Sequence, residues 1–193
     1  MRLWKALAIV LILVVAIAVA YAAELIHRGF SAQAQPSAIE TVIATTARKL
    51  AVPSDYRNLR NPYPASPEII QAGMEHFADH CSTCHANNGS GDTLFGKGLY
   101  PKPPDMRKPE TQNKSDGELY YIIENGVRLS GMPAFSQVPY PNPNDAETWH
   151  LIVFIRHLPT LSDQELATMS TLNPKTEADR QEEKDEQEFL QGK

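Results

Sequence analysis

The chain has 193 residues and a formal net charge of −5, and hydrophobic residues make up 42% of it. No stripe of Lys and Arg runs along it, so we do not expect nucleic acid as a partner. Its only two cysteines are three positions apart, and the sequence shows no internal repeat.

Residues 1–30 are predicted to form a membrane-directing segment. Arg2 and Lys5 precede an uncharged run from Ala6 to Ala23, which as a helix reaches about 27 Å, near the thickness of a bilayer core. The run is longer than a usual signal-peptide core, which favours an uncleaved signal-anchor helix. Ala20-Tyr21-Ala22 fits a cleavage site, so a cleaved signal is the alternative. Both interpretations, the anchor and the cleaved signal, place the rest of the chain on the exported side of the membrane.

Residues 31–66 are predicted to form a linker with two parts. A short amphipathic helix is predicted from about Ser37 to Leu50, and it would rest on a membrane or on the next domain. Proline-rich residues 52–66 then form an extended arm. The large side chains expected to pack this arm on the domain are Tyr56, Leu59 and Tyr63.

Residues 67–160 are predicted to be an all-α domain, because three helix starts are present and no strand pattern competes. Ser66 with Pro67 opens the first helix. Ser115 to Glu118 fits a capping box for the second, which stops at Asn125-Gly126. Asn144 is the expected cap of the third, with Pro159 beyond its end.

Within this domain, Cys81-Ser82-Thr83-Cys84-His85 has the C-x-x-C-H pattern of covalent c-type haem attachment. Two thiols at this spacing reach the two vinyl groups of one porphyrin, and His85 is then the proximal iron ligand. A zinc site would need two further ligands at suitable spacing. A dithiol redox pair does not need the histidine, and a disulfide across two residues is strained.

The expected sixth ligand of the iron is Met132 in Gly131-Met132-Pro133. Pro133 biases Met132 toward extended backbone, and Gly131 allows a close approach. Met106, in a proline-rich stretch, is the second candidate. Met74 is expected to pack in the core, and Met169 lies in the polar tail. A second histidine ligand is disfavoured; the remaining candidates are His76, His80, His150 and His157.

From about Ser66 to Pro159, the sequence resembles the class I mono-haem cytochromes c. The resemblance rests on the haem motif, the Gly-Met-Pro loop and the helices around them. It implies one covalent haem c, whose iron has His85 and Met132 as ligands, and one-electron transfer rather than enzymatic catalysis. It also implies that a proline carbonyl, of Pro103 or Pro104, accepts a hydrogen bond from the Nδ1 atom of His85.

The same resemblance implies that the first and last helices of the domain cross closely, with Gly73 allowing the approach and Phe77 and Phe154 filling it. Large apolar side chains would line the haem. The candidates are Phe77, Leu94, Phe95, Leu99, Tyr100, Tyr120, Tyr121, Ile122, Ile123, Phe135, Trp149 and Phe154.

Residues 161–193 are predicted to be a polar tail, either a solvated helix or, by default, disordered. The expected location is the bacterial inner membrane, single-pass, with the haem domain in the periplasm. The expected partners are redox proteins at that membrane. Two other functions stay open: an electron-entry subunit of a larger membrane redox enzyme, and a haem-based gas sensor.

Overall fold

The computed structural model describes residues 2–27, 31–138, 143–175 and 177–190. Residues 1–35 and 36–193 form two compact units. All regular secondary structure in these described ranges is helical. The predicted all-α fold is therefore confirmed.

The first unit contains one long helix, α1 (Arg2–His27). It is the one helix of the described chain that is long and apolar enough to cross a membrane: Leu3–His27 has a mean hydropathy of 2.9, and its most apolar window is not buried in the protein. Both membrane anchors and signal sequences contain apolar helices of this kind.

In its described residues, the second unit has ten α-helices, joined by turns and loops. A π-helical turn (Phe77–Cys81) joins α4 to α5, and a 3₁₀ turn (Leu158–Thr160) ends α9. The helices are α2 (Ala38–Ala51), α3 (Ser54–Arg57), α4 (Pro67–His76), α5 (Ser82–His85), α6 (Leu94–Lys97), α7 (Pro109–Gln112), α8 (Asp116–Asn125), α9 (Ala146–His157), α10 (Asp163–Leu172) and α11 (Glu177–Leu190).

The close crossing of α4 and α9 is the centre of this unit, as the resemblance implied. A Cβ atom on Gly73 would lie 2.8 Å from the Cβ of Phe154 and would also overlap the carbonyl of His150. The Phe77 and Phe154 rings pack with their centroids 5.3 Å apart. Glycine at position 73 is required because no side chain fits between the two helices.

The predicted helix caps of the first two domain helices are confirmed, and the third prediction is wrong. Ser66 caps α4, with Pro67 as its first residue, and Ser115 forms a capping box with Glu118 at α8. The cap of α9 is Asp145 rather than Asn144, and its side chain accepts the amide of Thr148. The Tyr120 hydroxyl, 3.1 Å from the Asp145 amide, helps to fix this cap.

The arm between α2 and α4 packs on the domain, as expected, although it contains a short helix. Tyr56 of α3 is buried, and Leu59 and Tyr63 pack against the core. A Cβ on Gly117 of α8 would overlap the carbonyl of Tyr56. Close backbone contact therefore fixes the arm to the start of α8.

Part of the segment expected to be a polar tail packs on the domain instead. Met169 of α10 is fully buried, and α10 contacts α4 and the π-helical turn. α11 is a highly charged helix, which corresponds to the solvated-helix alternative rather than to disorder. The domain boundaries themselves stay predictions.

Candidate functional site

The two cysteines lie on one continuous helical stretch formed by α4, the π-helical turn and α5. The turn occupies Phe77–Cys81, and Cys81 is the N-cap residue of α5. Such π-helical turns often occur at functional sites. Both Cys81 and Cys84 are free thiols and partly buried. Burial, with Cys84 as a second cause, raises the pKa of the Cys81 thiol to about 12.

His85, the last residue of α5, is only 9% exposed. Its buried Nδ1 atom has no hydrogen-bond partner in the described part of the protein. Burial lowers the pKa of His85 to about 4. The imidazole is therefore neutral at physiological pH, which is the form that binds a metal ion.

The loop after His85 is fixed by backbone hydrogen bonds. Ala86 has a φ of 60° and ends α5. The amide of Gly91 then donates to the carbonyl of His85 at 2.8 Å, and the amide of Met106 donates to Gly89 at 2.8 Å. The chain thus folds back over the end of α5, and the loop after His85 fixes this residue through its backbone carbonyl.

The carbonyl of Cys84 is held from the same side by α6. The Thr93 hydroxyl donates to this carbonyl at 3.3 Å and also caps α6 by accepting the amide of Gly96 at 2.8 Å. A Cβ on Gly96 would lie 2.7 Å from the Cys84 carbonyl oxygen. Sequence reasoning missed Thr93 and Gly96; their only local signal was the Thr-x-x-Gly spacing of a capped turn.

The loop that contains Met132 is anchored to the end of α8. The amide of Val127 donates to the Met132 carbonyl at 3.1 Å, and the amide of Met132 donates to the Ser130 hydroxyl at 3.2 Å. After the methionine, the amides of Phe135 and Ser136 donate to carbonyls in the last turn of α8. These bonds satisfy carbonyls that a helix end otherwise leaves unpaired.

Leu99 connects α6 to the methionine loop. A Cβ on Gly131 would lie 2.5 Å from a terminal methyl of Leu99. Met132 itself is partly buried and packs against the hydrophobic core. The segment that fixes the Cys84 carbonyl, α6 with the following Leu99, therefore contacts the loop that contains Met132.

Residues 68–155 match the family model described as cytochrome C oxidase, cbb3-type, subunit III. This range contains the two cysteines, His85 and Met132. Residues 68–155 are a c-type cytochrome domain. The chain matches no curated protein significantly.

The cytochrome domain implies one covalently bound haem c with its iron, and the residues present fit this group. Two free thiols and a buried, neutral imidazole lie on two successive turns of helix. The implied hydrogen bond from His85 to Pro103 or Pro104 is not formed, since Nδ1 has no partner among the described residues. The Pro103 carbonyl instead lies beside Gly91, where a Cβ would approach it to 2.7 Å.

The other methionines that could be considered as iron ligands lie in the core of the cytochrome domain. Met74 is 2% exposed and Met106 is 9% exposed, and both belong to the main hydrophobic cluster. Met169 is also fully buried there. Among the described methionines, Met132 is the one that lies on a loop and only partly in the core.

The other histidines have neighbours of their own. His76 stacks on His80 with centroids 4.7 Å apart, and it lies 3.7 Å from a Glu147 oxygen. His150 packs edge-on against Tyr63, and His157 pairs with Glu165 at 2.7 Å.

His76 and His80 have the H-x3-H spacing of a metal-binding pair. Nevertheless, within the described ranges no three His, Cys, Asp or Glu side chains are arranged to hold a metal ion.

The predicted apolar lining divides into three groups. Four of its residues are half-buried: Leu99, Tyr100, Tyr121 and Ile122. Phe77, Tyr120, Ile123, Trp149 and Phe154 are buried in the core. In contrast, Leu94 is 88% exposed, Phe95 65% and Phe135 40%. Exposed large apolar side chains on α6 and on the methionine loop are unusual for a surface that contacts only water, and they suit an apolar ligand such as a porphyrin.

Proposed function

We propose that the chain is a membrane-anchored carrier of single electrons, in which His85 and Met132 are the axial ligands of one haem c. A cytochrome c domain implies haem-based electron transfer. The observation that supports this ligand pair is the double anchoring of the Met132 loop, to the end of α8 and to Leu99. A ligand on a fixed loop stays bound in both oxidation states, which one-electron transfer requires.

The proposed roles of the residues are haem attachment, iron ligation and exclusion of water. Haem c supplies one-electron chemistry at its iron when it is bound. Cys81 and Cys84 would hold the porphyrin through thioether bonds. His85 is kept neutral and buried, and Met132 would provide a thioether sulfur that favours the reduced state. Leu94, Phe95 and Phe135 would cover the porphyrin and keep water away.

The ligand assignment is tested by replacing each candidate methionine with leucine, a change of similar volume. Met132→Leu should keep covalent haem attachment, abolish the weak charge-transfer band between methionine sulfur and ferric iron, and lower the reduction potential. Met106→Leu is the matched control and should keep the band. If Met132→Leu keeps the band, Met132 is not the ligand.

Carbon monoxide binding to the reduced wild-type protein separates the electron carrier from the gas sensor. A firmly held sixth ligand should prevent binding in the wild type and allow it in Met132→Leu. Binding in the wild type would instead favour the sensor.

We further propose that α1 is an uncleaved anchor and that the cytochrome domain lies in the periplasm. The support is the length and hydropathy of Leu3–His27, with Arg2 and Lys5 on the side expected to stay in the cytoplasm. The anchored chain should remain in the membrane after alkaline extraction, and its intact mass should include residues 1–35. A soluble periplasmic product without these residues would show that α1 is a cleaved signal.

A second candidate is an electron-entry subunit of a larger membrane redox complex. It is favoured by the description of the matched family model, which names an oxidase subunit. Gentle solubilisation from native membranes should then give the haem band in one large, stoichiometric assembly. A monodisperse single chain would favour the independent carrier.

A further inference from the structure

The amphipathic helix α2 does not use its apolar face to contact the domain. Four aliphatic side chains on α2 are more than 60% exposed. They are Ile39, Val42, Ile43 and Leu50. At 100° per residue, they fall within about 100° of one another on the helix surface, which defines a single apolar stripe.

The contact that α2 makes with the rest of its unit through Glu40 lies outside this stripe. Glu40 accepts a hydrogen bond from the Tyr100 hydroxyl at 3.1 Å, and it is the one half-buried residue of an otherwise exposed helix. Arg48 lies opposite Ile39 on the helix. Its charge is the second cause, after burial, that lowers the pKa of Lys114, so Arg48 lies on the domain side.

The helix is nonetheless well defined in place. A complete capping box of Ser37 and Glu40 fixes its beginning, and Val52, directly after its end, is 2% exposed in the hydrophobic core. A helix held at both ends by the domain, with aliphatic residues turned outward, is typical of a surface that binds a second apolar phase.

We propose that this apolar stripe binds the surface of the lipid bilayer and thereby sets the height of the haem domain above the membrane. The proposal rests on the anchoring part of the proposed function. Ten residues, 28–37, connect the end of α1 to the start of α2, and such a tether spans at most about 35 Å. An anchored α1 therefore keeps α2 within reach of the bilayer surface.

The composition of α2 favours lipid over a protein surface. The four side chains that define the stripe are aliphatic, Thr46 lies between them on the helix surface, and the stripe has none of the Tyr, Trp or Arg that dominate protein interfaces. Lys49 borders it, about 20° from Val42, and is placed to reach lipid phosphates. One Glu, one Arg and one Lys give α2 a net charge of +1, whereas the whole chain carries −5, so this helix is the part suited to an anionic surface.

The test uses the full haem-loaded chain in vesicles of phosphatidylcholine and phosphatidylglycerol. Because haem attachment consumes both native cysteines, one introduced cysteine accepts a fluorescent label. Ile43→Cys places the label on the stripe, and Thr45→Cys, about 160° from Ile43 around the helix, is the matched control outside the stripe. A lipid-borne quencher should reduce the emission of the label at 43 several-fold more than that at 45, and aqueous iodide should do the reverse.

Equal quenching of the two labels by iodide would overturn the proposal. Protection of the label at 43 that persists in detergent would also overturn it, and would assign the stripe to a second copy of the chain or to a protein partner. An excess of unlabelled chain distinguishes these two cases, because it should increase the protection of the label if a second copy covers the stripe and leave the protection unchanged if a different protein does. Intact mass reports separately whether α1 is retained, and the haem spectrum reports ligation, so failure of the proposed function and of this inference are distinguishable.

Discussion

Gly126 and Pro133 are in direct backbone contact, and this contact closes the methionine loop. A Cβ on Gly126 would lie 2.6 Å from the carbonyl carbon of Pro133 and 2.6 Å from the amide nitrogen of Ala134. Gly126 also has a φ of 65°, a conformation that favours glycine. The end of α8 and the residues after Met132 can therefore meet only if position 126 has no side chain.

Gly126→Ala is expected to displace the methionine loop. The positive φ alone costs about 1–3 kcal/mol, and the overlap with Pro133 adds to it. The variant should keep its covalent haem, lose the methionine-to-iron band in part or completely, and have a lower melting temperature. Optical spectra and thermal unfolding measure both effects.

Gly98→Ala is the matched control for this prediction. A Cβ there would be 3.4 Å from its nearest neighbour, the Phe95 carbonyl oxygen, and Gly98 has a negative φ. This variant should keep the band and its stability within about 0.5 kcal/mol. If the two variants behave alike, the contact between Gly126 and Pro133 does not hold Met132.

Ala86→Gly is expected to stabilise the protein. Ala86, directly after His85, has φ 60° and ψ 155°, a region populated almost only by glycine. Relief of this strain should raise the free energy of unfolding by about 1 kcal/mol, net of the extra entropy of glycine in the unfolded chain. Chemical denaturation of the holoprotein provides the measurement.

The control for Ala86→Gly is Ala47→Gly, in an exposed part of α2. There glycine should destabilise by about 1 kcal/mol or less, since helical alanine is favoured. If Ala86→Gly destabilises the protein by the same amount as Ala47→Gly, the backbone after His85 is not strained.

Arg156 joins α9 to the start of α8, and Arg156→Lys is expected to weaken that connection. The guanidinium donates to Asp116 at 2.8 Å, to the Gln112 carbonyl at 2.7 Å and to the Lys114 carbonyl. Lysine retains the charge but cannot make these bonds together. A loss of about 1–3 kcal/mol is expected in denaturation experiments. Arg57→Lys, which changes an exposed arginine of α3, is the control and should be near neutral.

The features predicted correctly from sequence are those decided by neighbouring residues. The Ser115 capping box and the Ser66-Pro67 start depend on spacing within one turn of helix. The C-x-x-C-H pattern, which predicted the haem c, is equally local. The close crossing at Gly73 came instead from the resemblance, because nothing in the local sequence identifies His150 and Phe154 as its neighbours.

The features that were missed depend on contacts between distant segments. Asp145 rather than Asn144 caps α9, and its amide is held by Tyr120, a residue of α8. Met169 is buried although α10 is mostly polar, because α10 packs on α4 and the π-helical turn. The φ of Ala86 and the π-helical turn have no signal in residue types. The His85–Met132 ligand pair stays a prediction.

Glu124 is a buried carboxylate at the end of α8, only 5% exposed. The Thr148 hydroxyl of α9 donates to its Oε1 atom. Burial is the main cause that raises the pKa of Glu124, the charge of Asp145 also raises it, and the Thr148 hydrogen bond lowers it. The folded chain therefore binds this proton more tightly than the unfolded chain does.

Stability should consequently rise as the pH falls from above the folded pKa of Glu124 toward its unfolded pKa. Glu124→Gln keeps an oxygen acceptor for Thr148 without the buried charge, so it should stabilise the protein at neutral pH and reduce this pH dependence. Thr148→Val, which removes the donor, should destabilise most at neutral pH and less in acid. Melting temperatures of the three proteins across this pH range measure the effect. If Glu124→Gln is as destabilising as Thr148→Val at neutral pH, the carboxylate is stabilised in place rather than penalised by burial.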